Sequence, residues 1–253
     1  MLAEITKKTI ADLPELRRRQ AELIGAAEAA SAPAGFEKSL RASGLGVIAE
    51  VKRRSPSRGT IDADLDPVAQ AREYEAGGAV AISVLTEPHY FAGSPQDLVM
   101  VKNHTKAPVL RKDFIVDPIQ VVHAKAMGAD AILLIVACLS DTDLARLLAD
   151  ADRWGLDVLV EAHTSDEARR AIDCGARIVG VNNRDLSTFD VDLATAESIA
   201  AELPDGIVRV AESGIWTVAD AHRMRDAGFD AVLVGEALVR SSDPAVLIRQ
   251  FRT

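Results

Sequence analysis

One pattern repeats along this chain after residue 44: an apolar run rich in β-branched residues, a polar turn, a helical stretch and another apolar run. Glycine marks the end of every second helical stretch, at positions 50, 47 and 53 residues apart: Gly78, Gly128, Gly175 and Gly228. Glycine suits the left-handed position at which helices end, so each interval holds two strand–helix units. The pattern predicts eight strands, at 46–51, 79–84, 108–112, 130–136, 157–161, 177–181, 207–211 and 230–235.

Helical stretches alternate with these strands. Three of them open with an Asp-Pro pair, at Asp66, Asp117 and Asp243, which combines an N-cap side chain with proline at the first helical position. The predicted helices lie near 66–76, 95–104, 117–127, 141–153, 165–174, 192–202, 217–227 and 243–251.

Alternating strands and helices, with nearly continuous apolar strands, predict a parallel sheet covered by helices. Eight such units favour an α/β fold of one closed (β/α)8 TIM barrel, and the length suits a single domain over residues 1–253. The alternative is an open doubly wound sheet, but no GxGxxG follows the first strand. Residues 1–44 are expected to form an N-terminal helical extension, with a helix from about Pro14 to Ala30 that either plugs the barrel bottom or forms a flap near its top.

Three apolar runs carry ionisable side chains where a core is expected: IAEVK (48–52), VLRKDF (109–114) and VLVEAH (158–163). A buried charge is costly unless it is paired, and such clusters are frequent sites of functional pKa shifts. Strand alternation places the polar set on the inward face, near the strand ends where barrel enzymes carry catalytic groups. A purely structural ion-pair lattice is the alternative. The set is Glu50, Lys52, Lys112, Glu161, Asn182 and Arg184.

Glycines at the ends of strands 7 and 8 predict an anion site. Gly214 and Gly235 let a ligand approach the backbone closely, and loops after these two strands commonly bind phosphate in such barrels. The loop KRRSPSRG (52–59) adds local positive charge that attracts a small anion. The alternatives are ordinary turn glycines and a solvated basic loop.

Composition excludes several classes of function. The net charge of −9 argues against nucleic-acid binding, which depends on Lys and Arg. The longest apolar stretch, AILLIVACL (131–139), is too short to cross a membrane, and the N-terminus has no signal-peptide pattern. Cys138 and Cys174 show neither metal spacing nor a disulfide framework, as expected of a cytoplasmic protein. The five histidines are scattered, so all are interpreted as ordinary polar residues and no metal site is expected.

Together the motifs resemble the indole-3-glycerol phosphate synthase family across about residues 44–251. They are IAEVKRRSPS, TEPHYFAGS, PVLRKDF, LVEAHT, GVNNRDL, AESGI and VLVGEAL. The resemblance implies ring closure of 1-(2-carboxyphenylamino)-1-deoxyribulose 5-phosphate to indole-3-glycerol phosphate, with loss of carbon dioxide and water and without a cofactor. One departure is Ala92, where the family often has Asn or Gln, so a contact between the second and first loops is expected to be missing.

The resemblance also implies roles for individual residues. Lys112 is expected as the general acid at the ketone, Glu161 as an acid/base group in dehydration, and Lys52 as the partner of the substrate carboxylate and the acid for water loss. The other expected catalytic residues, which orient or support these groups, are Glu50, Asn182 and Ser213. Substrate-binding residues are expected to be Ser55, Phe114 (the apolar wall for the anthranilate ring), Arg184 and Leu233. Phosphate binding is expected from Ser213, Gly214, Gly235 and Glu236, mainly through backbone N–H groups.

Two other functions remain open. One is another phosphate-sugar barrel enzyme, such as an isomerase. The other is a barrel that binds a phosphorylated ligand without turnover, although a binder has no need of paired acids and bases. In each case the partner is a small phosphorylated molecule, and a monomer is expected.

Overall fold

Eight parallel strands close into a barrel in this computed structural model, which describes residues 2–42, 44–185 and 188–253. The strands are β1 Gly46–Val51, β2 Ala81–Leu85, β3 Val109–Lys112, β4 Ala131–Ile135, β5 Asp157–Ala162, β6 Ile178–Asn182, β7 Val208–Glu212 and β8 Ala231–Val234. Closure is made by β1 and β8, with Gly46 opposite Ala231. The predicted TIM barrel is confirmed and the open sheet is ruled out, and each predicted strand boundary lies within two residues of the observed one.

Helices cover the outside of the barrel: α4 Pro67–Ala76, α5 Pro95–His104, α6 Pro118–Ala126, α7 Asp141–Arg153, α8 Ser165–Asp173, α9 Leu193–Ala200, α10 Val218–Asp226, α11 Glu236–Val239 and α12 Pro244–Arg252. The three predicted Asp-Pro starts are confirmed, because each aspartate accepts a hydrogen bond from a backbone N–H of its helix. The short helix α11 had no sequence prediction. None of the described helices is long and apolar enough to cross a membrane.

The N-terminal extension differs from its prediction. It holds three helices, α1 Leu2–Arg18, α2 Gln20–Ala29 and α3 Phe36–Leu40, so the expected helix from Pro14 to Ala30 is wrong in its bounds. Pro14 lies inside α1, where proline removes a helical hydrogen bond. Pro14 is exposed, so water can bond the carbonyl group that loses its partner.

Different parts of this extension reach opposite ends of the barrel. Phe36 and Leu40 of α3 are fully buried among the inward-facing residues at the N-terminal ends of the strands. Leu2 and Ile5 of α1 line the cavity at the C-terminal ends. Helix α2, which lies between α1 and α3 in the chain, packs against α6. Helix α3 therefore plugs the bottom of the barrel, whereas the start of α1 covers the cavity at its top. The two alternatives expected from the sequence are met by different helices of the same extension. The assignment of the chain to a single domain stays a prediction.

Replacing Phe36 by alanine tests the plug. Because the ring is fully buried, we expect the free energy of unfolding in urea to fall by about 3–5 kcal/mol. Ile10→Ala is the control, because Ile10 is 53% exposed on α1 and its loss should change stability by no more than about 0.5 kcal/mol. Equal effects of the two substitutions would contradict a packed plug.

Candidate active site

A layer of four charged side chains crosses the barrel near the C-terminal ends of its strands. The odd-numbered strands supply one each: Glu50 from β1, Lys112 from β3, Glu161 from β5 and Glu212 from β7. The three glutamates are at most 4% exposed. This layer lies directly above an apolar layer from the same strands, made of Ile48, Leu110, Leu159 and Val210.

Strand registers explain why these four residues lie at one height. The ladders place Glu50 level with Leu110, through Ser83 of β2. They likewise place Glu161 level with Val210, through Gly180 of β6. In each case the next member of the charged layer is two residues further along its strand, as the tilt of strands in a closed barrel requires. Lys52 is two residues beyond Glu50 and therefore lies one layer higher.

Glycines make room for the charged layer. A Cβ atom on Gly180, just below the layer, would collide with the carboxylate of Glu212. A Cβ atom on Gly235, just above it, would lie 2.5 Å from Glu50 Oε1 and 2.9 Å from Lys52 Nζ. The absence of a side chain at these two positions therefore lets the carboxylates and ammonium groups approach one another.

Lys112 lies between two carboxylates. Its Nζ is 3.0 Å from Glu161 Oε2 and 3.2 Å from Glu212 Oε2. Burial alone lowers the pKa of Lys112, but Glu161 and Glu212, with a smaller contribution from Glu50, outweigh it and raise the pKa above its usual value. Lys112 is therefore an ammonium group that holds a transferable proton inside the barrel.

The two glutamates beside Lys112 differ in charge. Burial raises the pKa of both. For Glu161 this is outweighed by the charge of Lys112, by the neighbouring His163 and by a hydrogen bond from Asn182 Nδ2 to Oε1 at 3.1 Å, so its pKa falls below the usual range. Glu212 has Lys112 beside it but also feels the charge of Glu161, and its pKa is raised to about 7. One carboxylate is firmly ionised, and the other can hold a proton near neutral pH.

Sequence reasoning missed Glu212. The residue ends the apolar run of β7 in the same way that Glu161 lies near the end of β5. Strand alternation places it inward with Val210, so the signal that identified the other charges was also present in the AESGI motif.

Lys52 forms an ion pair with Glu50, with Nζ 2.6 Å from Oε1. Its side chain is 17% exposed, so the ammonium group faces the cavity while the carboxylate beneath it is buried. An anionic group of a ligand could therefore reach Lys52 from the cavity side.

The loops after β7 and β8 border the same cavity. Ser213 and Gly214 both have positive φ angles, 64° and 82°, and Asn183 Nδ2 donates to the carbonyl oxygen of Ser213 at 3.1 Å. Gly235 precedes α11, whose first residue, Glu236, has its carboxylate 2.9 Å from Arg240 Nε. That carboxylate is occupied by an arginine, so an anion site at this position would use main-chain N–H groups.

The arginines of the first loop differ in their partners. Arg53 pairs with the buried Asp97. Arg54 donates to the carbonyl of Tyr90 at 2.9 Å, so the first and second loops are in contact although Ala92 replaces the usual polar residue. Only the third arginine is directed toward the anion site: Arg58 stacks 5.9 Å from the ring of Trp216 and lies 3.7 Å from Glu236.

An apolar wall completes the cavity. Phe114 and Phe91 have ring centroids 6.2 Å apart, and Leu2 and Ile5 of α1 cover the same space. The cavity contains every residue that the sequence predicted for the site: Glu50, Lys52, Ser55, Lys112, Phe114, Glu161, Asn182, Arg184, Ser213, Gly214, Leu233, Gly235 and Glu236. Among the residues that the structure describes, no group of His, Cys, Asp and Glu is arranged to hold a metal ion.

Known structures share the fold. The thiamine phosphate pyrophosphorylase of Pyrococcus furiosus superposes with a TM-score of 0.63 at 20% identity, covering 84% of this chain and 96% of that chain. A 3-hexulose-6-phosphate synthase also gives a TM-score of 0.63, at 18% identity, covering 82% of this chain and 98% of the other. At these identities the likeness shows the barrel fold alone.

Sequence relatives are much closer. The family model of indole-3-glycerol phosphate synthase matches residues 2–251. The indole-3-glycerol phosphate synthase of Koribacter versatilis is 47% identical over 247 residues, which cover 96% of this chain and 92% of that protein. The one from Mycolicibacterium vanbaalenii is 52% identical over 218 residues, 86% of this chain and 80% of the relative. The chain therefore belongs to the indole-3-glycerol phosphate synthase family, the carboxy-lyases of tryptophan biosynthesis.

Proposed function

We propose that this barrel converts 1-(2-carboxyphenylamino)-1-deoxyribulose 5-phosphate to indole-3-glycerol phosphate, carbon dioxide and water. The observation that carries the proposal is the position of Lys112, an ammonium group held between Glu161 and Glu212 in a cavity with an apolar wall. Ring closure needs an acid at the developing alkoxide, and dehydration needs an acid and a base close together. This layer of charges supplies both.

Three surfaces around the charged layer are assigned to parts of the substrate: a main-chain anion site, an apolar wall and the ammonium group of Lys52. The phosphate is assigned to the backbone of Ser213, Gly214, Gly235 and Glu236, with Ser55 and Arg58 above it. The anthranilate ring lies against Phe114 and Leu233, and its carboxylate meets the ammonium group of Lys52. Arg184 supports the site from the sixth loop, where its main-chain N–H bonds the side chain of Asn182 at 3.1 Å.

Ring closure forms a carbon–carbon bond between the ring carbon that bears the carboxylate and the ketone carbon. The nitrogen lone pair drives the attack and becomes an iminium, while the ketone oxygen takes a proton from Lys112. The alkoxide is a stronger base than the amine of Lys112, so the transfer is favourable even though the pKa of Lys112 is raised. The carbon–carboxylate bond then breaks, and its electron pair neutralises the iminium as carbon dioxide leaves.

Dehydration removes the new hydroxyl group together with a proton from the neighbouring carbon. Lys52 is assigned as the acid that protonates the leaving hydroxyl, and Glu161 as the base that takes the carbon-bound proton. The low pKa of Glu161 keeps it in the basic form. Glu50 and Asn182 orient these two groups through the contacts at 2.6 and 3.1 Å.

Lys112→Met tests the role of Lys112 as the general acid of ring closure. We expect kcat to fall by about 10²–10⁴-fold, the usual contribution of a general acid, with the circular dichroism of the folded barrel preserved. Product is measured by indole absorbance or fluorescence. Lys106→Met is the control, because Lys106 is an exposed lysine outside the cavity. If Lys112→Met kept near-wild-type kcat, Lys112 would not be the general acid.

Gly214→Ala tests the phosphate site. A Cβ atom there would lie 2.6 Å from Val191 Cγ1, displacing the loop whose main-chain groups bind phosphate. Each hydrogen bond to a charged group contributes about 1.5–3 kcal/mol, so we expect KM to rise about tenfold or more and inhibition by inorganic phosphate to weaken.

The matched control for this loop is Gly206→Ala. Gly206 has a φ of 90°, close to the 82° of Gly214, but a Cβ atom there would meet nothing within 4 Å. It therefore carries the same backbone strain away from the cavity. If Gly214→Ala and Gly206→Ala left KM equally unchanged, the phosphate would bind elsewhere.

The cellular setting is a further part of the proposal. A reducing cytosol is supported by the free thiols of Cys138 and Cys174, because disulfides accumulate in oxidising compartments. A monomer is expected, and sedimentation equilibrium over a range of protein concentrations would detect any association.

A further inference from the structure

His163 lies beside Glu161, one of the four side chains of the charged layer. It directly follows β5, its side chain is 10% exposed, and it is absent from the described residues that line the cavity. Its Nε2 is 3.2 Å from Glu161 Oε1, and its Nδ1 is 3.2 Å from Glu167 Oε2. The same oxygen of Glu167 accepts the backbone N–H of His163 at 2.7 Å, which holds the ring in place.

The two carboxylates on either side of the His163 imidazole determine its protonation state. A neutral imidazole has one N–H and one lone pair, so one of the carboxylates would face a lone pair. Only the imidazolium presents an N–H to Glu161 and another to Glu167. The contact with Glu161 is charge attraction more than a directed hydrogen bond, because His163 Nε2 lies 3.2 Å from Oε1 but outside hydrogen-bond geometry.

Other titratable groups lie near the ring or its two carboxylate partners, and two of them are cations held by those carboxylates. Lys112 is on the far oxygen of Glu161, and Arg170 of α8 lies near Glu167. The thiol of Cys138, which follows β4, has its pKa raised to about 11 by burial and is neutral at physiological pH. Burial lowers the pKa of His163, but Glu161 and Glu167 outweigh burial and raise it to about 10.

We propose that His163 is a positioning residue for the reaction proposed above: as a buried imidazolium braced by Glu167, it keeps Glu161 ionised and correctly oriented. The role matters most after ring closure. Lys112 has then given its proton to the substrate, and Glu161 has lost its other cationic partner. Without His163, a buried carboxylate beside a neutral amine would take up a proton and could no longer act as the base for dehydration.

The consequence for pH dependence has a definite sign. A cation near a carboxylate lowers its pKa by about one to three units. Removing the cation therefore raises the pKa of Glu161, and its basic form is lost at a higher pH than in the wild type. We expect the acid limb of the kcat profile of His163→Gln to move upward by about one to three pH units, with little change in KM, because His163 does not line the cavity.

Two further variants separate positioning from packing. His163→Lys restores a cation and should recover kcat at low pH, whereas a purely structural histidine would tolerate glutamine and lysine equally badly. His104→Gln is the control, because His104 is an exposed histidine on α5. Parallel kcat profiles for the wild type and His163→Gln, or equal losses in the glutamine and lysine variants at every pH, would overturn the proposal.

A measurement without turnover separates this inference from the proposed function. In the ligand-free wild type, nitrogen NMR should show the imidazole of His163 protonated on both nitrogens at pH 8, with its signal assigned by its loss in His163→Lys. In Glu167→Gln the ring should lose its second proton at lower pH than in the wild type. A neutral ring at pH 8 would refute the inference whatever the activity, and a wild type without product would refute the proposed reaction whatever the state of the ring.

Discussion

The pairing of Lys112 with Glu161 and Glu212 is the interaction on which the rest of the site depends. Removing a single charge from water costs several kcal/mol even after the protein relaxes. An unpaired lysine at the centre of a barrel would lose its proton, and an unpaired glutamate would gain one. Because each charge has a neighbour at about 3 Å, the barrel keeps a protonated amine and an ionised carboxylate in contact, ready for acid and base chemistry.

Barrel geometry makes that pairing possible. Glu50 and Glu212 are far apart in the chain, yet the tilt of the strands brings them to the level of Lys112 and Glu161. Glycine at positions 180 and 235 leaves the volume that the carboxylates and the lysine chains occupy. The apolar layer below and the plug formed by Phe36 and Leu40 close the other end. Within the barrel, Lys52 pairs with Glu50, and Lys112 pairs with Glu161 and Glu212.

Local patterns in the sequence predicted much of the fold and of the charged layer. Apolar periodicity located the eight strands, and Asp-Pro pairs located three helix starts, because both signals act over a few residues. Strand alternation assigned Glu50, Lys112 and Glu161 to the interior for the same reason. The start of α1 was missed because Pro14 usually marks a helix start, whereas here it lies on an exposed face that tolerates the lost hydrogen bond. Not every arginine of the basic loop is available to an anion, because Arg53 forms an ion pair with Asp97.

The amino-acid sequence by itself determined which strands exist, which of their residues face inward and which chemical groups the mouth contains. Tertiary structure decided which of those groups meet. Only the strand registers place Glu50 rather than Lys52 in the layer of Lys112 and add Glu212 to it, and only the folded chain shows that His163 contacts both Glu161 and Glu167. The physical reason is that a side chain's direction depends on its own strand. Its charge and its role as acid, base or support depend on the distances to charges from distant parts of the chain.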